Sequence, residues 1–183
     1  MSFLQSKRLE RGAEKETRTL IAALILALVF IALDQITKAA VVKYIRFGER
    51  IPVIPDFFNL TYITNTGAAW GLLAGHGWLL LLISVAVLIA VIYFIHTLTD
   101  GWPERIYAIA LIVSGIVGNS IDRIFRREVV DFLQFLFGKY QYPSFNIADS
   151  CICVGVFIFI LSTILRPDRK KPEPDSSYVQ LQK

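Results

Sequence analysis

The sequence predicts an all-α integral membrane protein: four transmembrane helices, joined by a small β-rich extracytoplasmic segment and an interfacial loop or helix. Three observations carry this. Of 183 residues, 55% are hydrophobic and 19% charged, an apolar excess over an ordinary soluble domain. The apolar residues stand in blocks and follow neither a helical nor a strand period. The polar residues that adjoin the blocks gather at one end of them.

Leu20 to Leu33 carries no polar side chain, and Trp78 to Ile95 carries only the hydroxyls of Ser84 and Tyr93. Ile106 to Val117 and Cys151 to Leu165 complete the set. A bilayer core of about 30 Å needs about 20 helical residues, so with their flanks the runs predict spans near 19–42, 77–97, 104–121 and 147–166. These form one membrane domain, 19–166, between polar tails at 1–18 and 167–183. The first run is read as an uncleaved anchor, because no small-x-small pattern follows Leu33 and the next polar residues, Asp34 and Lys38, are a poor cleavage context.

Connections differ in character. Thr97 to Glu104 is short, with Gly101-Trp102-Pro103 as turn and interfacial anchor. Between Ile45 and Gly77, Phe58, Leu60 and Tyr62 alternate with Asn59 and Thr61, which predicts a short half-buried strand beside the membrane. Between Asp122 and Phe145 the pairs Val129-Val130 and Phe132-Leu133 predict a loop that lies on the bilayer or covers a site. The net charge of +4 sits largely in the tails, which places both termini in the cytoplasm by the positive-inside tendency. Basic residues are expected to face lipid headgroups, with no soluble basic face for nucleic acid. Cys151 and Cys153 read as small apolar filler; they fit neither a disulfide nor a zinc site.

With four spans, the first and third loops share one face. Asp34, Gln35, Lys38, Asn65, Gly67, Asn119, Asp122, Arg123, Asp131, Asn146 and Asp149 all fall there. A charge in the bilayer centre costs on the order of 3 kcal/mol, so such residues need partners or a task. Each has a plain structural reading. Asp34 and Lys38 sit on one helical face and neutralise each other. Asn119, Asp122 and Arg123 share another, while Ser114 and Gly118 let a helix approach. Asn146 and Asp149 have the spacing of an N-cap with its acidic third position. Asp131, between apolar pairs, has no local partner.

Two carboxylates in a low-dielectric site share one proton, so one acts as base toward water while the other acts as acid. Asp131 and Asp149 are the pair that fits, one opening the last span and the other in the loop able to fold over it. No Ser, Cys or Lys is supported as a nucleophile. A proton-coupled transporter and a purely structural subunit are the competing readings. The first expects polar residues through the whole membrane depth, and the second leaves Asp131 unexplained.

The residues then resemble a known family. Asp34-Gln35-x-x-Lys38, Asn65-x-Gly67-Ala68-Ala69, Gly118-Asn119-x-x-Asp122-Arg123, Val129-Val130-Asp131-Phe132 and Phe145-Asn146-x-Ala148-Asp149 are similar, in order, to the motif blocks of the bacterial lipoprotein signal peptidases, signal peptidase II. The resemblance runs from Asp34 to Asp149. It implies an aspartic endopeptidase of the bacterial cytoplasmic (inner) membrane with its site toward the extracytoplasmic face. It implies as substrates diacylglyceryl-modified prolipoproteins, cut just before the lipidated cysteine. Catalytic residues would be Asp131 and Asp149; Asp34, Lys38, Asn65, Gly67, Asn119, Asp122, Arg123, Asn146 and Ala148 match supporting positions. No metal or organic cofactor is expected, a carboxylate dyad with water being sufficient. The chain departs from the pattern at Trp70, where Phe is expected, and at Ser114-Gly115, where a Gly pair is usual.

Overall fold

The computed structural model describes residues 3–68 and 72–166. Among these, α1 (Phe3–Tyr44), α2 (Gly77–Thr99), α3 (Pro103–Phe125) and α4 (Ile147–Leu165) are long and apolar enough to cross a bilayer. The shortest, α4, has 19 residues and extends about 28 Å, close to the hydrocarbon thickness. α2 buries none of its apolar window against the rest of the protein, while α3 is the most enclosed helix. That contrast matches their sequences: α2 is apolar on all sides, as a lipid-facing helix can be, and α3 carries the small and polar residues that need protein neighbours.

Four strands, β1 (Arg50–Ile54), β2 (Phe58–Asn65), β3 (Val129–Phe137) and β4 (Tyr140–Gln141), form one antiparallel sheet in the order β1-β2-β3-β4. The strand expected around Phe58 to Tyr62 is present and longer, paired on both sides. The aromatic segment expected as a loop is instead a central strand. Val129, Val130, Asp131 and Phe132 are all buried, so the first half of this strand has no wet face and shows no alternation to read. Val130 and Phe132 join Val41 and Ile45 of the α1 end in one apolar cluster, which seats the sheet on the bundle. Leu133 N donates to Phe145 O at 2.8 Å and Phe145 N returns a bond to Leu133 O at 3.1 Å. The strand bearing Asp131 is thereby stitched to the chain that enters α4.

Two further differences have physical causes. Helix α1 begins at Phe3, where a polar tail was expected. Charges at helical spacing support it, as Arg18 and Glu14 at 2.6 Å, and extending an existing helix avoids the nucleation cost. The other tail, 167–183, lies outside the described residues. Polar residues are also not confined to one end of the spans. Arg105 is buried; its Nε donates to Ser162 Oγ at 3.2 Å and its guanidinium to Arg166 O at 3.0 Å, while Arg166 pairs with Glu104 at 3.2 Å. This cluster ties the start of α3 to the end of α4. After Pro103 the Glu104-Arg105 pair reads as ordinary interfacial charge, which hid it.

Helices α3 and α4 meet through glycine. A Cβ at Gly155 would stand 2.7 Å from Ala108 O and 2.8 Å from Ile112 Cγ1, and one at Gly115 would overlap Ala148 O. The small residues anticipated on α3 therefore do allow backbone-to-backbone approach. Gly155→Val is expected to lower thermal stability in detergent by about 1–3 kcal/mol, the cost of overpacking. Gly12, with nothing within 4 Å of its Cβ position, should tolerate alanine or gain slightly. Equal unfolding midpoints for Gly155→Val and the unsubstituted protein would contradict the packing.

Candidate active site

The site is built around a buried ammonium. Lys38 Nζ lies 2.8 Å from Asp34 Oδ2 and 3.0 Å from Asp122 Oδ2, and donates to Asn119 Oδ1 at 3.0 Å. All three charged side chains are almost fully shielded from solvent. Asp34 and Lys38 are one helical turn apart on α1, as their spacing required, but the second carboxylate comes from α3. Gly118 makes room for it all: a Cβ there would be 2.7 Å from Asp34 Oδ2.

The remaining lone pairs of the two carboxylates are used for positioning. Asp34 Oδ1 accepts from the backbone N of Ala148 at 3.0 Å, and Asp122 Oδ2 from the backbone N of Val130 at 3.2 Å. Asp122 also pairs with Arg126, and Gln35 donates to Asp34, to Gly118 O and to Asp122. One carboxylate thus fixes the residue before Asp149, and the other fixes the residue before Asp131.

Asn146 joins these two acids directly. Its Nδ2 donates to Asp131 Oδ1 at 2.8 Å, and its backbone N donates to Asp149 Oδ2 at 3.2 Å. Its Oδ1 accepts from Asp149 N at 2.9 Å, completing a capping box at the start of α4. Asn119 Nδ2 donates to the other Asp149 oxygen at 2.7 Å, and Asn119 Oδ1 accepts from Asn146 as well as Lys38. The N-cap reading of Asn146 and Asp149 is correct, and the same residues also hold the acid pair; one role does not displace the other. Asp131 finds its partner across the sheet and the α4 entry, beyond the reach of local sequence.

Asp131 is pushed up to about 7, first by burial and then by the charge of Asp149, while hydrogen bonds from Asn146 and Asn65 and the charge of Lys38 act the other way. A carboxyl so placed holds a proton near neutral pH. Asn65 Oδ1 accepts from Gly67 N at 2.8 Å, and the Arg123 guanidinium donates to Gly67 O at 3.1 Å and Asn119 O at 3.4 Å. All eleven residues singled out in the sequence therefore belong to one connected region. Ala69, Trp70 and Gly71 of the adjoining loop lie outside the described residues. Sequence reasoning named Gln35 without giving it a role and missed Arg126, whose position one turn after Asp122 was the available signal. Among the described residues no group of three or more His, Cys, Asp or Glu is placed to hold a metal.

The profile of the Peptidase A8 family, described as signal peptidase (SPase) II, matches residues 26–165. The chain belongs to the signal peptidase II family. Among its relatives, the lipoprotein signal peptidase of Bacillus subtilis (strain 168) is 46% identical over 148 residues, covering 81% of this chain and 96% of that one. That of Listeria monocytogenes serotype 4b (strain F2365) is 43% identical, covering 80% of this chain and 94% of that one. A solved bacterial membrane enzyme structure superposes with a TM-score of 0.75 at 35% identity, covering 84% of this chain and 93% of that one. Signal peptidase II membership makes the chain an aspartic peptidase, and with its four apolar helices a multi-pass bacterial membrane enzyme.

Removing the ammonium should strand both carboxylates. Lys38→Met is expected to cost about 3–5 kcal/mol of unfolding free energy, the usual consequence of breaking a buried pair from one side. Adding Asp34→Asn should recover part of the loss. Additive effects of the two substitutions, measured by unfolding in mixed micelles, would argue against their pairing.

Proposed function

We propose that this enzyme removes the signal peptide from diacylglyceryl-modified prolipoproteins by cutting just before the lipidated cysteine, with Asp131 and Asp149 as its catalytic pair. Family membership supports the substrate class. The observation that carries the residue assignment is Asn146, which bonds both carboxylates at once. No other two acids among the described residues share such a bridge without also being ion-paired.

The pair holds one proton. The ionised carboxylate takes a proton from water as the water oxygen attacks the scissile carbonyl carbon, and the protonated partner gives its proton to the carbonyl oxygen. A neutral gem-diol results. In the second step the C–N bond breaks: the first carboxyl returns its proton to the departing nitrogen, and a diol hydroxyl gives one back to the second. The enzyme ends as it began, with no covalent intermediate. Asn119 and Asn146 keep the two carboxylates in register throughout. We assign both termini to the cytoplasm and the pair to the extracytoplasmic interface, because four spans return the chain to its starting side and the basic residues favour that side. A lipid-anchored precursor presents its scissile bond at that depth.

Asp131→Asn and Asp149→Asn should each lower single-turnover cleavage of a diacylglyceryl-modified precursor by at least about a thousandfold, within the range ascribed to a positioned acid or base. Retained activity in a folded variant of either would sink the dyad. The Asp131 carboxyl, pushed up to about 7, fixes a sign: above that pH the last shared proton leaves and no acid remains. Turnover should fall about tenfold per pH unit on the alkaline side. A rate that stays flat to about pH 9, far above an ordinary carboxylate, would show that the pair does not supply the proton.

A further inference from the structure

Beside the acid pair, and sharing Arg123 with its surroundings, a cleft of about 470 Å³ opens between the start of α2 and the end of α3, within the size range of small-molecule sites. Its lining joins two basic residues, Arg123 and Arg127, to the apolar Trp78, Leu81 and Ile124, with Gly75 and Gly77 beside them. Trp78 and Ile124 are well exposed, as residues facing acyl chains would be.

The polar groups here are undercommitted. Arg127 has no ion pair among the described residues. It also sits at φ 72°, a left-handed conformation that costs a non-glycine residue about 1 kcal/mol or more and turns the chain out of α3. Arg123 spends its terminal nitrogens on two backbone carbonyls, and its buried Nε has no partner among the described residues. Helix α2 opens at Gly77 and Trp78 of this lining without a side-chain cap, so the positive end of its dipole lies at the cleft. Two guanidiniums and a helix start, set among a tryptophan and aliphatic neighbours, are complementary to an amphiphile with an anionic head.

We propose that this cleft binds the phosphate of an anionic phospholipid from the surrounding leaflet, with the acyl chains lying along Trp78, Leu81 and Ile124. Arg127 is the principal phosphate contact and Arg123 reinforces it. The lipid occupies a place next to the acid pair without taking part in hydrolysis, and its principal contact, Arg127, lies outside the residues assigned to the candidate active site.

The test uses the full chain in nanodiscs of dioleoylphosphatidylcholine containing a minor share of dioleoylphosphatidylglycerol, with native mass spectrometry reading the lipids that stay bound. The unsubstituted protein is expected to retain the phosphatidylglycerol preferentially. Arg127→Gln should weaken that preference about tenfold, the worth of one charge-assisted contact, and Trp78→Ala should weaken retention of either lipid. Arg50→Gln, an exposed basic residue on the same face, serves as control and should leave the preference intact. Equal loss in Arg50→Gln and Arg127→Gln would overturn the proposal in favour of unspecific surface charge. Displacement of the bound lipid by millimolar inorganic phosphate alone would overturn the lipid as ligand.

Discussion

Everything in the candidate site depends on one buried ammonium held by two carboxylates. Lys38 contacts Asp34 and Asp122 within 3.0 Å, and that triad faces the three chain segments that matter. Burying an ion pair rarely adds net stability, since desolvation consumes most of the attraction. Its return here is geometric. Asp34 reaches the backbone ahead of Asp149, Asp122 reaches the backbone ahead of Asp131, and Lys38 reaches Asn119. A charged cluster that tolerates only one arrangement fixes helix, strand and helix entry together.

Such a cluster needs a close-packed frame, and bilayers offer little hydrophobic force to make one. Helices in lipid associate through shape and polar contacts. Glycine at 115, 118 and 155 brings α3 against α4 and lets the Asp34 carboxylate come between helices. At the far end, Arg105, Ser162, Arg166 and Glu104 close the same pair of helices with hydrogen bonds. Polar ties at both ends and small residues between them leave α3 and α4 little freedom to slide. The start of α4, with Asp149, is therefore held from two directions.

Much of this was legible in the sequence, and the parts that were not share a cause. Spans were readable because a continuous apolar run has one use. Asp34 with Lys38 and Asn146 with Asp149 were readable because helical spacing makes their contacts local. Asp131 was recognisable as anomalous, yet its partners, Asn146 and Asn65, come from other segments. Strand β3 was missed as a strand because burial on both faces erases the alternation that marks one. Arg105 was missed because a buried arginine and an interfacial one look alike beside a proline. In each case the deciding contact was long-range, and the sequence could show only that a residue was costly.

The arrangement also explains why, among the described residues, amides and not cations touch the acid pair. A cation set directly against either carboxylate would favour its ionised form, and a pair ionised at both members has no acid to offer. Leaving the pair with no donors at all would make even one charge too costly to bury. The amide of Asn119 resolves the conflict: its oxygen faces Lys38 and its nitrogen faces Asp149. Asn146 Nδ2 donates both to Asn119 Oδ1 and to Asp131 Oδ1, so Asp131 too is met by an amide. The Lys38 charge thus reaches Asp149 through the Asn119 amide and not by direct contact. On the proposed mechanism that indirect field is the functional quantity. It accounts for a charged cluster built beside the acid pair that, among the described residues, makes no ion pair with it.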